Sequence, residues 1–475
     1  MHIINIHIVS NFDLFQQLGI RQLTCGISTT STMEPARSEM SILPNGKGHD
    51  LGEEMFFNLG NAIMGSGILG LAYAMANTGI LLFLFLLTAV AGLSCYSIHL
   101  LLKSSGVVGI RSYEQLGFRA FGMTGKMAAG IAITLQNIGA MSSYLYIVKS
   151  EFPLVLQAFL KADTNSGEWY LNGNYLVVLA SLSVILPLAL MKQLGYLGYA
   201  SGFSLSCMVF FLSAVIYKKF QILCPFEEFS ANSTLAHAHL NATTNHAHGY
   251  HNGHVMVDDS YCSPQMFTVN THTAYTIPIL AFAFVCHPEV LPIYTELRNP
   301  TQRKMQHISN ISILIMYTMY FLAALFGYLT FYTNVEAELL HTYSRIDPYD
   351  ILILCVRLAV LTAVMLTVPI VLFPVTGKLL NKFLKLLELW YLIILLIYIC
   401  PVLPPPGATS APCLIFIFPA VFYIRIVPKD KEPMRSTPKI FAACFAGLGV
   451  LFMIMSLSFI IIDWTTGSSS ALGGH

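Results

Sequence analysis

The sequence predicts an all-α polytopic membrane protein with about 11 transmembrane helices. Three observations predict it. Hydrophobic residues make up 55% of the 475 residues and charged residues 10%, where a soluble domain carries about 25% charge. Mean hydropathy is +0.65. Apolar runs of roughly 20 residues, the length that crosses a bilayer, recur along the chain. A soluble enzyme with a large core would show shorter, amphipathic runs, and a net charge of +1 argues against nucleic acid as a partner. The expected spans are 56–76, 79–102, 127–149, 174–191, 195–217, 274–295, 308–332, 348–375, 386–403, 408–427 and 439–462.

Residues 1–55 form a polar tail. Met1 to Phe15 lacks the basic n-region and long apolar h-region of a signal peptide, so the first span is the expected insertion signal. That span, Phe56 to Ala76, is interrupted at Gly65-Ser66-Gly67. Glycines let a helix unwind and bring N–H groups to an anion. The second half-helix then points its positive end, near Ser66, Gly67 and Ile68, at a carboxylate. Carbonyls around Gly60 and Ile63 are freed for Na⁺, because an unsatisfied carbonyl at that depth needs a ligand or water. The same small residues also suit a packing face between helices.

Span 2 ends in a basic loop with Lys103, Arg111, Arg119 and Lys126. Span 3 carries the polar stripe Thr134-Leu135-Gln136-Asn137 to Ser142-Ser143-Tyr144, which faces protein or water. An acidic loop, Glu151 to Glu168, leads to spans 4 and 5, which complete a first group of five helices, 56–217. The loop 218–273 holds the glycosylation sequons at Asn232 and Asn241. It also holds Cys224 and Cys262, which in an oxidising compartment either bridge or stay as thiols. Its histidines, His237, His239, His246, His248, His251 and His254, read as a polar loop of biased composition, with Zn²⁺ binding or pH sensing as the alternative.

Span 6, Ala274 to Tyr294, is interrupted around Cys286-His287-Pro288. Pro288 removes a helical hydrogen bond and places the break near Val285. His287 and Glu289 sit beside it, and ionisable groups inside a membrane are functional candidates. Span 8 contains Arg357, which must face a cavity or a carboxylate, and Thr367 just before Val368-Pro369, where a hydroxyl and a freed carbonyl can coordinate a cation. Spans 6 to 10 form a second group, 274–427, and 428–475 holds span 11 and the C-terminus. Paired broken helices in corresponding halves are the sequence pointer to the binding site of a secondary transporter. The basic loops after spans 2, 6, 8 and 10 alternate with acidic or uncharged ones. This places the N-terminus in the cytoplasm and His475 outside.

Three runs carry a resemblance. Asn61-Ala62-Ile63-Met64-Gly65-Ser66-Gly67-Ile68-Leu69-Gly70-Leu71 and Phe284-Val285-Cys286-His287-Pro288-Glu289-Val290-Leu291-Pro292 resemble the sodium-coupled neutral amino acid transporters of solute carrier family 38. So does Leu325-Phe326-Gly327-Tyr328-Leu329-Thr330. The strings Gly195-Tyr196-Leu197-Gly198-Tyr199 and Glu432-Pro433-Met434-Arg435-Ser436-Thr437-Pro438 are most similar to its system N branch. The resemblance implies a LeuT-type inverted-repeat transporter fold of two five-helix repeats plus one helix. It implies Na⁺-driven transport of glutamine, asparagine and histidine in exchange for H⁺ at the plasma membrane, without an organic cofactor.

It further implies that Asn61 and Thr367 serve sodium dependence, that Cys224 and Cys262 are bonded, and that His475 influences the pH response. The substrate contacts expected are Gly65, Ser66, Gly67, Ile68, Val285 and Cys286. The sodium contacts expected are Gly60, Asn61, Ile63 and Thr367, and the proton candidates are His287 and Glu289. The family has serine where this chain has Gly60, and Thr376 to Pro406 does not resemble it. An electrogenic sodium/alanine-type (system A) symporter and a non-transporting amino acid sensor or defective isoform are the alternatives.

Overall fold

The computed structural model describes residues 51–160, 169–185, 187, 195–222, 263–269, 273–297, 299–346, 350–376, 409–430 and 432–470. Among the described residues, 8 helices are long and apolar enough to cross a membrane, and two shorter apolar helices accompany them. The expected ninth span, 386–403, lies outside the described residues. So do Cys224, Cys262, Asn232, Asn241, the loop histidines and His475.

The first span is two helices, α1 (Leu51–Met64) and α2 (Leu71–Ala76), joined by the turn Gly65-Ser66 and a 3₁₀ segment Gly67–Gly70. α3 (Ile80–Val108) follows. Its first N–H groups lack helical partners. The segment around Gln265 supplies them, with Ile80 N donating to Gln265 O at 3.2 Å and Leu81 N to Met266 O at 3.0 Å. α4 (Tyr113–Leu160) bends at Phe121 and Gly122, where the backbone leaves helical angles. α5 (Gly173–Ile185) closes in a π turn, Ser181–Ile185, and α6 is Gly195–Gln221.

The sixth span is again split, into α7 (Thr273–Ala283) and α8 (His287–Glu296). α9 (Gln302–Phe331), the short α10 (Leu339–Ile346) and α11 (Ile351–Thr376) follow. α12 (Ser410–Ile426) contains a π turn at Cys413–Ile417, and α13 is Thr437–Ser470.

α1 packs between α6 and α9, and α11 packs between α6 and α4. The two broken spans are largely buried inside the bundle, while α13 lies against α12 with Phe441, Leu451 and Ile454 exposed. Exposed apolar side chains of this kind suit hydrocarbon rather than water.

The loop reading at Glu151 needs correction. Glu151 is not the start of a loop. It lies in α4, fully buried at 0% exposure, because α4 continues to Leu160. Its charge is met by Arg357 of α11, whose Nε lies 3.4 Å from Glu151 Oε2. Lys439, at the start of the last expected span, lies in a helix. It is buried in α13 and donates from Nζ to Val427 O at 2.9 Å, satisfying a carbonyl at the C-terminal end of α12.

Candidate functional site

Gly65 ends α1 with φ +41°, in the left-handed region. A Cβ there would also stand 2.7 Å from Tyr144 Oη. At Gly67 an added Cβ would lie 3.0 Å from both Cα and Cβ of Ala283, so the two broken helices touch backbone to backbone. The second break opens with Cys286 outside helical geometry at φ −132°, and Pro288 sits in the first turn of α8, where its missing N–H costs nothing.

One side chain joins both breaks. The Tyr320 hydroxyl of α9 is 2.7 Å from Ile63 O, 3.1 Å from Met64 O and 2.9 Å from Ala283 O. These carbonyls stand at the C-terminal ends of α1 and α7, where four per helix lack backbone donors. A single phenol proton serves three acceptors, which holds the breaks together without saturating them.

A narrow cavity with about 20 Å³ of open space, room for little more than a water molecule, lies at this junction. Gly65, Gly67 and Val285 line it from the breaks, and Glu289 from α8. Gln136, Asn137, Ala140 and Tyr144 line it from one face of α4, at helical spacing. Asn137 Nδ2 donates to Val371 O at 3.1 Å, and Gln136 Oε1 accepts from Ser410 Oγ at 2.7 Å. Gln136 Nε2 is buried and has no hydrogen-bond partner. Backbone groups, amides and one carboxylate thus meet an otherwise apolar hollow, which is the makeup of a site for a small zwitterion.

Behind the cavity, α1, α6 and α11 share a second polar cluster. Asn61 Oδ1 accepts from Ser204 Oγ at 2.8 Å and from Thr367 Oγ1 at 3.1 Å. Both hydroxyls also reach Ala363 O, at 3.1 and 2.8 Å. Asn61 Nδ2 is buried without a hydrogen-bond partner. Four oxygens converging in a dry interior form a donor set for a hard cation. One turn away, Ser201 Oγ donates to Asn58 Oδ1 at 2.7 Å, so two asparagines and two serines pair at matching spacing.

The family described as "Transmembrane amino acid transporter protein" matches residues 53–462, which contain both breaks, the cavity and the polar cluster. The chain belongs to this family. A Pongo abelii relative, sodium-coupled neutral amino acid transporter 4, is 53% identical over 86% of this chain and 83% of its own length. The Homo sapiens protein of the same name is 52% identical over the same shares. A Danio rerio relative, sodium-coupled neutral amino acid symporter 2, is 51% identical over 88% of this chain and 84% of its own. The protein is a multi-pass membrane transporter and not an enzyme.

Within this transporter the expected site residues separate into groups. Gly65, Gly67, Ile63, Val285 and Glu289 line the cavity. Asn61 and Thr367 meet in the polar cluster. Ser66 points elsewhere, sharing a hydrogen bond of 2.7 Å between its Oγ and that of Ser143. Ile68 is buried in the core. Cys286 does not line the cavity, and its carbonyl accepts from Glu289 N at 3.0 Å and Val290 N at 3.2 Å, closing the first turn of α8. Gly60 sits in α1 facing α6 and α9, where a Cβ would meet Leu205 Cδ1 at 3.2 Å. His287 is fully buried, and neither ring nitrogen has a hydrogen-bond partner.

Two contributors escaped the sequence reading, Ser204 and Tyr320. For Ser204 a usable signal existed, because Ser201 and Ser204 repeat the three-residue spacing of Asn58 and Asn61.

Proposed function

We propose that this chain is a sodium-coupled secondary transporter of neutral amino acids, working by alternating access in a LeuT-type inverted-repeat fold. The observation that carries the proposal is the polar cavity where two broken helices meet. Family membership and the names of the relatives support it. The substrate carboxylate takes N–H groups at the start of the Gly67–Gly70 segment, and its ammonium faces Val285 and Glu289. Na⁺ is held by Asn61, Ser204 and Thr367, beside the freed end of α1, so that cation and substrate bear on the same helix. In the membrane the basic loops face the cytoplasm and α10 faces outside.

The system N strings support glutamine, asparagine and histidine as substrates, with H⁺ leaving as Na⁺ enters. Uptake of labelled glutamine in cells expressing this chain is then lost when choline replaces Na⁺. Uptake that is indifferent to choline removes the proposal, and binding without accumulation leaves a sensor. The Danio rerio relative is named a symporter, which favours a second reading without proton exchange. Intracellular pH separates the two, since alkalinisation during uptake belongs to exchange alone.

A further inference from the structure

Away from the cavity, α4, α10 and the loop before α10 bring three ionisable side chains to one point. Glu151 comes from α4, Glu338 from the loop and His341 from α10. One ligand atom from each lies within 4.8 Å of the others. His341 Nε2 is 3.2 Å from Glu151 Oε1 and 3.6 Å from Glu338 Oε2. Two ligands that each bind a tetrahedral Zn²⁺ at 2.0–2.1 Å are about 3.3–3.4 Å apart, so the His341–Glu151 distance is that of a coordination edge and the His341–Glu338 distance is slightly longer.

Glu151 supplies an independent observation. Its side chain is wholly buried, with one oxygen in ionic contact with His341 and the other with Arg357, and Glu338 Oε1 beside it is buried without a hydrogen-bond partner. Arg357 lies on the Oε2 side at 3.4 Å, which leaves Oε1 turned toward His341. A buried carboxylate oriented by a cation on one oxygen, with the other turned to an imidazole, matches the outer-shell support of a metal ligand. An entry path exists, because the His341 side chain is 31% exposed.

We propose that Glu151, Glu338 and His341 bind a divalent transition-metal ion, Zn²⁺ by its donor set, with water as fourth ligand, tying α10 to α4. One imidazole and two carboxylates with an open position match Zn²⁺ chemistry. α10 also packs on α11 and on the Gly67–Gly70 segment. The bound ion therefore fixes the piece of chain that lies over the first break.

The test measures binding, so it stands apart from the transport reading. The six loop histidines, His237, His239, His246, His248, His251 and His254, are first replaced by asparagine, so that any Zn²⁺ they bind does not mask the site. The full chain is purified in detergent, stripped with EDTA and titrated with Zn²⁺ against a chromophoric chelator. One Zn²⁺ per chain is expected, with a rise in thermal midpoint.

His341→Ala should weaken binding on the order of 10-fold or more and abolish the thermal rise. Glu338→Gln should do the same while leaving the Glu151–Arg357 pair in place, which covers the case that the histidine variant folds poorly. No bound Zn²⁺ in the loop-substituted chain, or equal affinity in it and in Glu338→Gln, overturns the site.

Discussion

Replacing Thr367 by alanine removes one of the two hydroxyls on Asn61 without disturbing α11, since Thr367 also bonds its own helix at Ala363 O, 2.8 Å away. Half-maximal uptake should then need several-fold more Na⁺, as about 1–1.5 kcal/mol of ligation is lost. Ser204→Ala should act the same way, and Na⁺ titrations of uptake check both. Gly65→Ala should cripple uptake, because it adds strain at φ +41° and a contact of 2.7 Å to Tyr144 Oη. The next nearest ring atom stands at 3.7 Å, so Tyr144→Phe on that background should restore part of the activity. No recovery would show that the backbone strain alone governs.

Asn61 and Thr367 were legible in the sequence because amides and hydroxyls stand out in an apolar span. Ser204 was missed despite its matching spacing with Ser201, because a serine in a helix usually bonds its own backbone. Ser206 and Ser213 do so, at 2.9 and 2.8 Å.

Among the elements, the two split helices act as a pair because Tyr320 clips both. Tyr320→Phe deletes the donor shared by Ile63, Met64 and Ala283 and leaves buried carbonyls bare, at about 1–3 kcal/mol. A lower thermal midpoint of the purified protein is expected, together with reduced maximal uptake at unchanged expression. An unaltered midpoint would mean that water or lipid replaces the phenol. The breaks themselves were readable from Gly65, Gly67 and Pro288, since backbone chemistry fixes where a helix fails. The clip was not readable, because a tyrosine inside an apolar run signals aromatic packing, and the Tyr320 ring does pack edge-on against Phe284 at 5.3 Å. The length of α4 was misjudged for a related reason. A glutamate reads as a helix end until the partner on α11, more than two hundred residues away, is known.

For the molecule as a whole, ionic contacts sit at both rims. Where α3 ends, Lys103 Nζ pairs with Glu432 Oε1 at 2.8 Å, and the Tyr423 hydroxyl bonds the other oxygen. The Lys103 ammonium, helped by Tyr423, holds the Glu432 carboxyl below its ordinary value. A depressed folded value means that the stabilisation is present above the unfolded pKa, about 4.3, and fades as pH falls through the folded one. Thermal unfolding followed from pH 7 down to acid should therefore show a steeper loss for this chain than for Glu432→Gln. Equal slopes would show that the contact is inert.

The membrane class was plain from composition and spacing. The rim contacts were not, because each joins residues from distant helices that only the packed bundle brings together.

The opposite rim carries the Glu151–Arg357 pair, and there the arithmetic of desolvation inverts the usual ranking of mutants. Stripping either member alone strands a full charge in a dry interior, at roughly 3–5 kcal/mol, whereas exchanging both for neutral side chains of like size is often neutral or better. The double replacement Glu151→Gln with Arg357→Met should therefore express and survive heating better than either single change. In natural variation these two positions would be free to drift only in step.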